Sequence, residues 1–178
     1  SPTPVGQINF SVPTKSLNHL KEAGYTHLSL ANNHSNDFGV EDYRHSVESL
    51  NEFFEAFGEP DALSKSSVSF IDVEETVIAL IGVHALVELS ELDLKYVLSY
   101  AERQSDVQII YVHWGEEYAL KQNNNQRELA KTFVKYGADV VVGHHPHVTQ
   151  GIEMIDSVPV FYSLGNYIFD QYFSKDVQ

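Results

Sequence analysis

The chain has 178 residues, 43% of them hydrophobic and with ten Phe and ten Tyr, which suits one packed domain and excludes a disordered segment. It has no cysteine, so disulfides and thiolate metal sites are excluded, and any metal must be held by His, Asp, Glu, Asn or backbone oxygen. Eleven basic against twenty-five acidic residues give a net charge of −14, a field that argues against nucleic acid or an anionic bilayer as partner.

The longest apolar runs, such as VIALIGV at 77–83, fall far short of the roughly 20 residues that cross a bilayer. The opening SPTPVGQINF has neither the basic nor the apolar region of a secretory signal. In chain order, PTKSLNHLKEAG predicts a helix with Thr14 as cap, Leu17 and Leu20 on one face and Gly24 as terminator. THLSLA at 26–31 predicts a strand. Over 41–57 the apolar positions Tyr43, Val47, Leu50, Phe53, Phe54 and Phe57 recur at three and four, predicting a helix that Gly58 stops.

SVSFIDV at 67–73 and TVIALIGV at 76–83 read as an antiparallel hairpin turning at Glu74 and Glu75. Ser90 and Asp93 resemble a capping box opening a helix that runs to about Arg103. VQIIYV at 107–112 is a buried strand. In NQRELAKTFVKYG, Leu129, Ala130, Phe133 and Val134 share a helical face, Lys131 and Lys135 sit near its C-terminus, and Gly137 ends it. ADVVVG and VPVFYSL (158–164) complete the strands. Alternating helices and apolar strands give an α/β fold with a largely parallel sheet and a more antiparallel portion near the C-terminus.

Polar clusters follow four of these strands: ANNH at 31–34, His113, HHPH at 144–147, and GN at 165–166. Loops at the carboxyl ends of parallel strands converge, so the four define one ligand-binding rim. Each cluster alone has an ordinary reading, since Asn is common in turns and a strand-end His is often structural. His19, His27, His45 and His84 read as surface or core histidines. Three imidazoles in HHPH point to a divalent ion, with His145 and His147 on one side of an extended chain that Pro146 favours. Gly143 would allow close backbone approach to that ion or to an oxyanion.

SLANNHSNDFG (29–39), YVHWGEEY (111–118), GADVVVGHHPHVTQGIE (137–153) and VFYSLGNYIFD (160–170) together resemble the CapA-type poly-γ-glutamate capsule biosynthesis proteins, within the calcineurin-like metallophosphatase superfamily. The resemblance runs across nearly the whole chain, and it implies a four-layer α/β/β/α sandwich, partial and with a mixed sheet. It also implies that Asn33, His113 and two of His144, His145 and His147 hold one or two divalent ions of the Mn, Fe, Zn or Mg class. His34 would be the catalytic group, and Asn32, Glu117 and Asn166 would orient ligands or contact substrate. The family's Gly-Asp and Asn-Leu-Glu segments are not found ahead of ANNH, so residues 1–178 are expected to be a single domain that is a piece of a longer one, or a truncated paralogue.

By the same resemblance the intact protein would be a metal-dependent hydrolase or transferase acting on or assembling an anionic polymer or a small phosphorylated or acyl substrate. Its partners would be capsule-synthesis membrane proteins rather than nucleic acid, and an upstream anchor would hold it outside the cytoplasm. Two rival readings share the rim: a non-catalytic module that binds polymer or partner, and a metallophosphodiesterase with an unrelated substrate.

Overall fold

A computed structural model of the chain describes residues 10–167. A 3-10 turn (Thr14–Ser16) leads into α1 (Leu17–Glu22), β1 (His27–Ser29), α2 (Val40–Asn51) and β2 (Glu55–Phe57). A second 3-10 turn (Lys65–Ser67) precedes the hairpin β3 (Val68–Val73) and β4 (Thr76–His84). Then come α3 (Glu91–Glu102), β5 (Val107–His113), α4 (Asn124–Lys135), β6 (Val140–His144), β7 (Ile152–Ile155) and β8 (Val158–Phe161).

Six strands form one sheet in the order β3-β4-β5-β6-β8-β7. Its centre, β4, β5, β6 and β8, is parallel: α3 and α4 return the chain between β4, β5 and β6, and strand β7 returns it between β6 and β8. The edges β3 and β7 are antiparallel. One face of the sheet presents Ala79, Ile81, Val83, Ile110, Val112 and Val141 to Leu94, Val97 and Leu98 of α3 and Ala130 and Phe133 of α4. Burying each large apolar side chain there contributes about 1.5–3 kcal/mol, which makes this the stabilising core.

The alternate residues of the same strands face the other way. At Gly82 that face is met by β1 and β2, which form a separate parallel pair. A Cβ on Gly82 would lie 2.9 Å from the Gly58 Cα and 3.1 Å from Ser29 Oγ. Only glycine lets the two layers come so close. On the far side α2 packs on β2, with Tyr43 Oη donating to the Gly58 carbonyl at 3.4 Å. The layers are therefore helices α3 and α4, the large mixed sheet, the small pair, and α2: the expected α/β/β/α arrangement.

Several local expectations differ from the structure. The helix over 41–57 ends at Asn51, and Glu55–Phe57 is strand β2, in register with β1 through Leu28 and Ala56. Asn51 Oδ1 accepts from the Ala56 backbone N–H at 3.0 Å and closes the turn between them. Phe54 and Phe57 are buried at 6% and 5% exposure, so the apolar spacing is met by a strand's packing rather than a helix's face. Thr14 opens a 3-10 turn and makes no cap, and Ser90 stands at the N-cap of α3 without a side-chain cap bond. A capping box is present at α4 instead: Asn123 Oδ1 accepts from Gln126 N at 2.9 Å, and Gln126 Oε1 accepts from Asn123 N at 3.0 Å.

Candidate metal centre

The parallel register places three histidines in a row. His84 pairs with His113, and His113 with His144, at the carboxyl ends of β4, β5 and β6. All three share the face opposite the α3 and α4 core, because Val83, Val112 and Gly143 before them point the other way. Ring centroids are 5.4 Å apart for His84 and His113 and 4.7 Å for His113 and His144, and Tyr111 stacks on His144 at 4.3 Å.

The hydrogen bonds fix which nitrogens carry protons. Asn33 Oδ1 accepts from His113 Nε2 at 3.1 Å, so His113 Nδ1 is an acceptor. It takes the bond from His144 Nδ1 at 3.0 Å, which leaves the lone pair of His144 on Nε2. His84 Nδ1 donates to the Pro60 carbonyl, which leaves Nε2 as the ring atom not engaged in that bond. Both of these Nε2 atoms are buried and have no hydrogen-bond partner. Each such base costs about 1–3 kcal/mol unless something coordinates it.

Electrostatics keep these rings ready to coordinate. Burial first, and repulsion from His144, His145, His84 and His147 second, hold His113 far below the ordinary imidazole range. Burial, then repulsion from His145, His84 and His147, pushes His144 down to about 3. His145 is lowered by burial against the opposing pull of Glu117. At neutral pH all three are uncharged donors.

The HHPH turn is not extended. His145 has φ 100° and His147 φ 63°, both in the left-handed region, where a non-glycine residue costs on the order of 1–3 kcal/mol. Their side chains still converge, for a different reason from the alternation expected of a strand. Tyr118 N donates to the Pro146 carbonyl at 2.8 Å and Trp114 N to the His144 carbonyl at 3.1 Å, tying the turn to the loop after β5. His147 Nδ1 donates to Asn166 Oδ1 at 2.8 Å. The outcome is a cluster in which one ligand atom each from Glu117, His145 and His147 lies within 4.8 Å of the others. His145 links it to the row, its ring centroid 4.5 Å from that of His113.

Gly143 serves a role other than the one expected. A Cβ there would meet the Tyr162 carbonyl oxygen at 2.2 Å and Trp114 Nε1 at 2.3 Å, so the close approach is to neighbouring protein and not to a ligand. Glu117 stands exposed in the loop between β5 and α4, beside the two histidines. Asn32 Oδ1 accepts from the His34 backbone N–H at 2.9 Å and shapes the turn that presents His34. His34 Nδ1 lies 3.0 Å from Asp37 Oδ2, and the Phe10 ring packs edge-on against its imidazole at 4.5 Å.

Two residues of this rim were not anticipated. Asp37 is three residues past His34 in a turn, a spacing that the sequence shows without saying that the side chains meet. His84 follows an apolar strand just as His113 does, and that shared pattern was its signal. His19 and His45 are exposed, as expected, each near a glutamate three residues on.

The sequence family described as "Bacterial capsule synthesis protein PGA_cap" matches residues 2–171. The chain belongs to this family. Within it, the chain is 32% identical over 183 residues to the PGA biosynthesis protein CapA of Bacillus subtilis (strain 168), covering 93% of this chain and 48% of that protein. It is 31% identical over 191 residues to the capsule biosynthesis protein CapA of Bacillus anthracis, covering 92% of this chain and 45% of that one. The chain thus spans about half the length of these capsule synthesis relatives.

Solved structures share the fold at low identity. A hypothetical protein from Thermus thermophilus gives a TM-score of 0.61 at 17% identity, over 85% of this chain and 57% of that one. A Staphylococcus aureus protein assigned as a 5'-nucleotidase gives 0.58 at 16% identity, over 84% of this chain and 34% of that one. The chain therefore has a metallophosphatase-like fold. Its rim also fits a divalent ion on chemical grounds, with imidazole and carboxylate donors converging beside two buried nitrogen lone pairs that lack partners. Among the described residues, no helix is long and apolar enough to cross a membrane.

Proposed function

We propose that the chain carries the metal-binding rim of a metal-dependent phosphoesterase-like protein of poly-γ-glutamate capsule synthesis, which acts on or assembles an anionic polymer. The observation that supports this most is the convergence of Glu117, His145 and His147 within 4.8 Å, next to the buried row of histidines. Those three side chains, with His144 through its open Nε2, would hold the cation, and Asn33 and His113 would join them by giving up the hydrogen bond they share. When bound, a divalent ion of the Mn, Fe, Zn or Mg class supplies Lewis acidity toward a phosphoryl or acyl oxygen.

The protein's own groups perform the rest. Asp37 accepts from His34 Nδ1 and fixes the ring, so that Nε2 is the atom that holds or delivers a proton to a leaving oxygen. Asn166 fixes the ring of His147 in the same way. Because burial keeps His113, His144 and His145 neutral, these histidines bring no positive charge to a chain of net charge −14. An anionic substrate is attracted only where a cation is seated. The substrate is then an anionic polymer or a small phosphorylated or acyl molecule, handled outside the cytoplasm with capsule-synthesis membrane proteins.

The test is made on the parent protein. Purified protein should contain Mn, Fe or Zn, and the metal should be lost in His145→Ala or His147→Ala. A His34→Ala variant should keep the metal and lose turnover of a phosphodiester or polymer substrate. Unchanged turnover would remove His34 from the chemistry. Metal-free protein that still binds polymer would replace the enzyme with a binding module.

A further inference from the structure

We infer that His84 is an additional ligand of the cation at this rim, coordinating through Nε2. The inference rests on reading the rim as a divalent-cation site, and it concerns a residue outside the cluster of Glu117, His145 and His147. Four features of the position support it.

First, His84 is in strand register with His113 and, one strand further, His144, on the same face and at the same sheet edge. Second, it is 5% exposed and so held in place by its surroundings. Third, its Nδ1 donates to the Pro60 carbonyl, an arrangement that leaves the lone pair on the other nitrogen and turns the ring, as bonds to backbone carbonyls do for metal-bound histidines. Fourth, that lone pair on Nε2 is buried and unpartnered. A histidine retained only to fill space would be served by an apolar ring, which leaves no base stranded. The neighbours are also the right ones: its ring centroid lies 5.4 Å from that of His113, and its charge would be felt at His113, His144 and His145.

The consequence is selectivity. Adding an imidazole nitrogen to a donor set already rich in imidazole favours a first-row transition ion such as Zn or Fe over Mg, which prefers oxygen ligands and water. His84 would then help to decide which cation the rim accepts.

Zn2+ is the probe, because it is diamagnetic and takes nitrogen ligands readily. The full chain is stripped of metal and titrated with Zn2+ by calorimetry, alongside His84→Asn. The asparagine can keep the bond to the Pro60 carbonyl while removing the base at Nε2. The expected result is a Zn2+ affinity at least about tenfold weaker in His84→Asn, with Mg2+ affinity little altered. In wild-type protein, long-range 1H–15N correlation of the imidazoles should show the His84 Nε2 resonance moving on stoichiometric Zn2+. This second measurement decides the matter if His84→Asn fails to fold. Equal Zn2+ affinity in both proteins, or a His84 resonance that stays in place, overturns the role of His84 and leaves the metal site standing. Wild-type protein that takes up no Zn2+ overturns both.

Discussion

Replacing Gly143 with alanine should damage the protein well beyond the size of one methyl group. The added Cβ would sit 2.2 Å from the Tyr162 carbonyl oxygen, whereas carbon and oxygen settle at about 3.3–3.6 Å, so one strand must move by about 1 Å. Neither side yields easily. The carbonyl is backbone just past β8, and the other contact, Trp114 Nε1 at 2.3 Å, belongs to an indole that is 2% exposed. That indole donates to the same Tyr162 carbonyl at 2.8 Å, so any movement that relieves the clash strains a buried hydrogen bond. Overpacking costs about 1–3 kcal/mol and the compromised bond about 1–3 kcal/mol, giving a total of about 2–6 kcal/mol. For a domain of this size that lowers Tm by about 4–24 °C.

The assay is urea and thermal unfolding of metal-free protein at pH 7, with Gly151→Ala as control. A Cβ at Gly151 meets nothing nearer than 3.5 Å, so it should change stability by less than about 0.5 kcal/mol. Because His144 and His145 follow Gly143 directly, the Gly143→Ala variant should also bind divalent cation more weakly. A variant within about 0.5 kcal/mol of wild type would refute the claim that packing of β6 against Tyr162 and Trp114 holds the site.

Acid should destabilise the metal-free protein through its buried histidines. His113 and His144 are depressed in the fold, His144 to about 3, while the unfolded chain titrates near the usual 6.5, so below about 6.5 the unfolded state binds protons that the fold refuses. Stability is then full above that pH and falls as pH drops, by roughly 2–3 kcal/mol for the pair between pH 7 and 5.5, and His144→Gln should flatten the slope of the urea midpoint against pH. Glu117→Gln should weaken cation binding at least about tenfold by calorimetry with little change in Tm, because Glu117 is exposed and brings the only carboxylate to that cluster. Gln126→Ala should cost about 1–3 kcal/mol by urea unfolding, since it removes half of the α4 capping box and the 3.1 Å bond from Gln126 Nε2 to Gln150 Oε1. Gln150 in turn donates to the Ala119 carbonyl at 2.8 Å, so loss of Gln126 should also loosen the loop that carries Glu117 and reduce cation affinity.

The rim was legible because strand order along the chain already says which loops gather at one end of a parallel sheet. ANNH, His113, HHPH and the GN pair follow strands in the sequence, and the structure joins Asn33 to His113, His113 to His144, and His147 to Asn166. Less was legible where two local solutions fit the same letters. Phe53, Phe54 and Phe57 satisfy a helical period, and only the pairing of β2 with β1 turns the end of that stretch into a strand. Pro146 argued for an extended turn, and the backbone bonds to Tyr118 and Trp114 instead hold His145 and His147 at positive φ.

Sequence alone therefore determined the fold class, the sheet edge and many of the polar side chains that gather there, because apolar periodicity and chain direction are written locally. Tertiary structure decided register, and register is what sets His84 beside His113, gives Gly143 the Tyr162 carbonyl as its neighbour, and leaves two nitrogen lone pairs buried at the same edge. Side chains from strands tens of residues apart become neighbours only when backbone hydrogen bonds choose one alignment. That choice depends on packing across the whole sheet, which no short stretch of sequence contains.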